Sequence, residues 1–255
     1  MTGRQIRILS LVRREVNRFM KIKRQTLLAP LLETFLYVAV FGAALGSRIH
    51  QLHGFRYIVF VVPGLVMMAW AINAFSNNAS SILQQKFGRA IDDQLSSPAS
   101  PGELLFGFSF GGFLRGAIVA TITWGVATIL IGLPFARPLV LLPSLALVGM
   151  FFAQAGVLVG TRAEQFDDVA LYQLFVLQPL IFLGGVFYSA SLLPQPFATL
   201  TRFDPVYYMI SLVRYGFLGY REGSILISFL ALLAITAAIT AWNFRMFDRG
   251  SRLRA

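Results

Sequence analysis

The chain has 255 residues, 56% of them hydrophobic and 13% charged, with a mean hydropathy of +0.69, which is more apolar surface than a water-soluble domain buries. Cysteine is absent, so disulfides, thiol catalysis and cysteine-based metal sites are excluded. The net charge of +11 comes mainly from basic residues flanking apolar runs at the two ends, a placement that fits a multi-span membrane protein better than nucleic-acid binding.

Residues 1–26 contain "RQIRILSLVRREVNRFMKIKR", in which Ile6, Leu9, Val16, Phe19 and Met20 recur near helical spacing among arginines. This predicts a basic amphipathic helix in the membrane interface, its charged face toward anionic headgroups, turning into a first span near Gln25 and Thr26. Six spans of about 20 residues each are expected, near 27–46, 57–82, 104–132, 139–161, 169–188 and 224–244. The first reads as a retained signal anchor, with Pro30 in its opening turns where a missing amide costs little. Glu33 lies about two turns inside it and Arg115 about three turns inside the third span. The two either pair, face a cavity, or reach back to the interface.

His50 and His53 stand as H-x-x-H in the loop before the second span, with no further ligand nearby, so they read as loop histidines. Asn73 and Asn77 share one face of span two, close to Ser76, Asn78 and Ser80, either bonding neighbouring helices or lining a cavity. Gln154, Gln173 and Gln178 raise the same choice, and Pro179 would bend span five. Gly107 with Gly111, Gly112 with Gly116, and Gly156 with Gly160 form small-x-x-x-small pairs, read as packing within the subunit.

The connection "QQKFGRAIDDQLSSPASPGELL" predicts a short helix with Phe87, Ile91 and Leu95 along one edge and Arg89, Asp92 and Asp93 beside it, stopped by Pro98 and Pro101. It is a solvated turn or a docking element for a partner. On the same side lies "TRAEQFDD", with Glu164, Asp167 and Asp168. Counting Lys and Arg puts fifteen on this side, Arg252 and Arg254 of the tail included, against six on the other, so both termini are expected in the cytoplasm. The region 189–221 then falls outside: its prolines, Tyr207, Tyr208, Tyr215 and Phe217 suit a re-entrant or interfacial helix of about 14 residues rather than a span. Arg214, within that segment, needs protein or water around it.

An amphipathic start, six spans and a helix after span two resemble the type-2 permeases of ATP-binding cassette (ABC) exporters. The strings "HGFRYIVFVVPGLVMM", "FDDVALYQLFVLQPLIFLGGVFYSASLLP" and "DPVYYMISLVRYGFLG" are similar to the YadH-like subgroup of bacterial inner-membrane permeases, and the resemblance spans essentially the whole chain. It implies an all-α single domain over 1–255 acting as a homodimer in the lipid bilayer of the inner membrane, with two copies of a separate ATPase that binds ATP and magnesium. Phe87, Arg89, Ile91, Asp92, Asp93 and Leu95 would then form the coupling helix, with Glu164, Asp167 and Asp168 a second contact. Glu33, Asn73, Asn77, Arg115, Gln178, Tyr188 and Arg214 are the candidates for the translocation path. The sequence itself contains no G-x-x-x-x-G-K-[ST] string and no catalytic or metal motif. The alternative is a six-span secondary transporter or channel, although no internal repeat appears. Amphiphile export is the expected activity.

Overall fold

A computed structural model describes residues 2–46 and 48–250; Arg252 and Arg254 lie outside the described residues, as do the side chains of Gln25 and Leu27. Helix α1 (Gly3–Lys21) opens on a capping box in which the Thr2 amide donates to Gln5 Oε1 at 2.9 Å. It does more than lie on a surface, because Glu15 and Phe19 are buried against the bundle. The chain turns at Ile22, a few residues earlier than expected, and the Thr26 hydroxyl then donates to the Phe19 carbonyl at 3.3 Å. Helix α2 (Lys23–Ala39) therefore begins sooner, which leaves Pro30 inside it rather than in its first turn. There the proline removes the bond to the Thr26 carbonyl, while the Thr34 hydroxyl donates to Pro30 O at 2.7 Å. The helix continues as a wider π-helical segment, Val40–Leu45.

A two-stranded hairpin, β1 (Gln51–Leu52) and β2 (Phe55–Arg56), turns on His53 and Gly54, both with positive φ, as a type I′ turn demands. It leads into α3 (Tyr57–Phe87), the central helix, whose most apolar window is 83% buried. Helices α5 (Pro101–Ile131) and α6 (Pro138–Arg162) pack closely along it. The paired glycines make that approach possible. Gly112 and Gly116 sit against Asn78 and Trp70, and Gly156 and Gly160 against Phe75 and Ala79; a Cβ at Gly160 would stand 2.8 Å from the Ala79 carbonyl oxygen. Gly107 and Gly111 receive Leu11 and Glu15 of α1 in the same way. These pairs pack within the subunit.

Between α3 and α5 lies α4 (Ala90–Leu95), and Ser100 caps α5 by a second capping box with Glu103. Span five is built from α7 (Phe166–Tyr172), a π-helical turn (Gln173–Leu177) and α8 (Gln178–Leu183). It ends five residues before position 188, because Gly185 adopts φ +93° and turns the chain away. Then come α9 (Phe197–Phe203), α10 (Pro205–Leu218) and α11 (Ile225–Asp248). Among the described residues, five helical stretches are long and apolar enough to cross a membrane, joined by the shorter apolar stretch Leu28–Ala43. This is an all-α membrane architecture. A small second core of Ile82, Ile91, Leu104, Leu105, Phe108, Val157 and Phe247 gathers α4 with the start of α5 and the ends of α3, α6 and α11 at one end of the bundle. The hairpin, α9 and α10 occupy the other.

Candidate functional site

Midway along the bundle a recess of about 160 Å³ opens between α2, α3, α5 and span five. It collects Glu33, Asn73 and Gln178 of the expected path, together with Gln173, Thr34 and Tyr37. Leu65, Met68, Ile72, Ile181 and Phe182 supply its apolar wall. The Thr34 and Thr123 hydroxyls meet at 3.2 Å, and Ser76 donates to Gln173 Oε1 at 2.8 Å, tying span two to span five. Asn73 donates to the Ala69 carbonyl at 3.0 Å, one turn back on its own helix. Polar groups inside apolar spans need partners or a hydrated path, and this recess gathers several of them in one place.

Four expected members are elsewhere: Asn77, Arg115, Tyr188 and Arg214. Asn77 is fully buried and holds Arg18, whose Nη2 donates to its carbonyl at 2.7 Å and to its Oδ1 at 2.8 Å, so it bonds helices together rather than lining the cavity. Arg115 sits on α5 outside the recess that Glu33 faces, and among the described residues no ion pair joins the two. Gln154 is likewise interhelical: it donates to Ser109 Oγ at 3.0 Å and accepts from Asn243 at 2.8 Å.

At the α4 end, the two segments expected as docking contacts form one surface. Lys86 Nζ donates to the carbonyls of Thr161 (3.2 Å) and Ala163 (2.9 Å), and the rings of Phe87 and Phe166 stack with centroids 5.5 Å apart. Both rings stay more than half exposed, at 59% and 53%. Arg89, Asp93, Glu164 and Asp167 are exposed beside them, and Asp92 is half-buried. Ile91 is not on that surface: it is buried in the second core, with Leu95 packed against it, so these two anchor α4. Asp168 is also engaged, its Oδ2 accepting from the amides of Glu164 (2.8 Å) and Gln165 (3.0 Å) at the start of α7.

Sequence reasoning missed the carboxylates that organise this end. Glu15 is fully buried and accepts from Ser81 (2.7 Å), Gln85 (3.3 Å), Arg14 (3.2 Å) and Arg18 (3.3 Å). Its signal was an acid in line with Leu11 and Phe19 at four-residue spacing, on the apolar face of α1. Glu103 takes a two-pronged bond from Arg7, Nε and Nη2 each at 3.0 Å, with Arg4 at 3.6 Å. The S-x-x-E capping string marked it.

At the α10 end, Arg214 is enclosed by protein. Its Nη1 donates to Glu222 Oε2 at 2.6 Å and its Nη2 to the Gly185 carbonyl at 2.8 Å, while the guanidinium lies 4.0 Å from the centre of the Phe60 ring. Glu222, also missed from sequence, further accepts from the Ala190 amide at 2.8 Å and from the Ser189 hydroxyl, so it closes the turn after span five onto α10. Tyr188 donates to the Leu183 carbonyl at 3.0 Å and so packs within the same turn. His53 stacks on Tyr220 with centroids 4.7 Å apart, and among the described residues no cluster of three ligands could hold a metal.

Long apolar helices around a polar recess, with a separate surface of aromatic and charged side chains at one end, are a frame suited to a membrane permease. Residues 6–218 match the ABC-2 type transporter family, and the chain belongs to that family. Such permeases lack nucleotide sites, so ATP hydrolysis belongs to a partner ATPase subunit, and no cofactor is expected in this chain. Membership decides against an ATP-independent transporter or channel. The chain is 38% identical over 242 residues to the inner membrane transport permease YadH of Escherichia coli K12, covering 95% of this chain and 94% of that one. It is 27% identical over 226 residues to nodulation protein J of Rhizobium leguminosarum bv. trifolii (86% and 84% covered). The Rhizobium meliloti protein of that name is 26% identical over 208 residues (81% and 79%).

Proposed function

We propose that the protein is an exporter permease of the bacterial inner membrane that moves an amphiphilic molecule, of drug, lipid-linked or polysaccharide type, by alternating access. The recess carries this reading: an acid, two glutamines and an asparagine set in an apolar wall suit a molecule with both polar and greasy parts. Two copies of the ATPase dock at the α4 ends of a permease homodimer, in the cytoplasm with both termini. Phe87, Arg89, Asp92, Asp93, Glu164 and Asp167 make the contact, and Ile91 and Leu95 transmit its motion into the second core. The dimer seam runs along α2 and span five, whose exposed Leu32, Phe35, Leu36, Leu174, Phe175 and Val176 flank the recess. Helices α9 and α10 dip and return as the outer cap, with Arg214 and Tyr188 holding its turn.

The test is co-expression with the separately encoded ATPase and reconstitution in liposomes. Phe87→Ala with Asp93→Lys is expected to lose the ATPase on purification. Glu33→Gln with Gln178→Leu is expected to retain it but to change which amphiphiles stimulate ATP hydrolysis. Transport by the permease alone, without nucleotide, overturns the proposal.

A further inference from the structure

A second cavity lies away from the recess, in a groove of about 800 Å³ between α1 and the last turns of α3. Four cations line it, Arg13, Arg14, Arg18 and Lys21, against one acid, Glu15. The acid does not balance them. Its oxygens are occupied by Arg14, Arg18, Ser81 and Gln85, and Arg18 is further engaged with Asn77. Arg13 and Lys21 enter no ion pair among the described residues, and the buried Nε of Arg14 has no hydrogen-bond partner. An unfilled N–H donor beside two free cations asks for an anion with several oxygens, and phosphate fits.

The groove's far wall is Ile22, 46% exposed, where α1 turns into the apolar helix α2 with its exposed Leu28 and Leu31. A ligand that satisfies both walls has a phosphate and acyl chains. We propose that this groove is a specific site for the headgroup phosphate of an anionic phospholipid of the same leaflet, held by Arg13, Arg14 and Lys21, with its chains along α2. This goes beyond the diffuse attraction of a basic helix for a charged membrane: it names one lipid per chain and a fixed set of donors. It is independent of which molecule the permease exports.

The experiment places the full chain in nanodiscs of phosphatidylcholine with increasing phosphatidylglycerol and counts retained phosphatidylglycerol by native mass spectrometry. Saturation at one per chain is expected. Arg13→Gln with Lys21→Gln, both exposed positions, should weaken binding about fivefold for each charge removed. Lys23→Gln with Arg24→Gln removes the same charge outside the groove and should leave it unchanged; equal thermal unfolding of the two variants controls for folding. Equal weakening by both pairs, or binding that never saturates, reduces the site to diffuse electrostatics and overturns the proposal. Displacement of the lipid by millimolar inorganic phosphate would make it a free-phosphate site and overturn the lipid source.

Discussion

The two ends of the bundle solve the problem of internal charge in opposite ways. At the α10 end, Arg214 and Glu222 are both almost completely enclosed, 1% and 6% exposed, and every bond they make closes one turn onto one helix. At the α4 end, Glu15 is enclosed but its arginines are not: the side chains of Arg14 and Arg18 are 37% and 24% exposed, and the bonds run between α1 and α3. A buried pair stripped of one member leaves an uncompensated charge, whereas half-exposed partners can exchange protein for water. The α10 end is therefore built to hold one arrangement, and the α4 end to tolerate more than one.

Breaking the sealed pair should produce the largest effect. Arg214→Met is expected to destabilise the protein by about 3–5 kcal/mol, and adding Glu222→Leu should recover much of that. Thermal unfolding in detergent measures both; a double variant as unstable as the sum of the singles would show that the ends do not differ in this way. Glu15→Gln comes next: it keeps one acceptor and loses the charge that holds Arg18, at a cost of about 1–3 kcal/mol by the same assay.

A pH dependence distinguishes the ends further. Burial pushes the carboxyl of Asp204, at the head of α10, up to about 6 from 3.8, although its Oδ1 accepts from the Val206 amide at 2.8 Å. The folded state then binds a proton that the unfolded state releases between those values, so stability should fall as pH rises from about 4 to about 6 and level off above. Asp204→Asn should flatten that part of the profile. The smallest effect on stability is expected at Phe87, whose ring is exposed: Phe87→Ala should shift unfolding by less than about 0.5 kcal/mol while weakening ATPase retention. A large loss of stability there would make the ring structural.

The spans were legible because long apolar runs report themselves, and the helices of spans two to six start within three residues of the positions expected. Span five was overextended, since nothing in "LGGVFYS" says which glycine takes the positive φ that ends the helix. The residues expected along the path divide between the recess and helix contacts for a related reason. Asn73 and Asn77 are one turn apart, and a turn is enough to move from a cavity wall to a helix contact once Arg18 arrives from a helix 59 residues away in sequence. Glu15, Glu103 and Glu222 escaped notice because their partners lie on other elements or across a loop, and hydropathy does not record pairing. The two segments expected as docking contacts were legible separately; that Lys86 and the two phenylalanines join them is tertiary information.

The glycines along α3 also bear on the order in which the chain is made. They lie on α5 and α6, the later helices, whereas the earlier helix presents side-chain bulk at Trp70 and Asn78 and its own backbone at Phe75 and Ala79. As synthesis proceeds, α3 enters the bilayer complete in shape, with lipid where its neighbours will be. The helices that follow carry notches cut to it, so assembly needs no reworking of what is already inserted, and substitutions that fill those notches should stall assembly after α3 rather than its insertion.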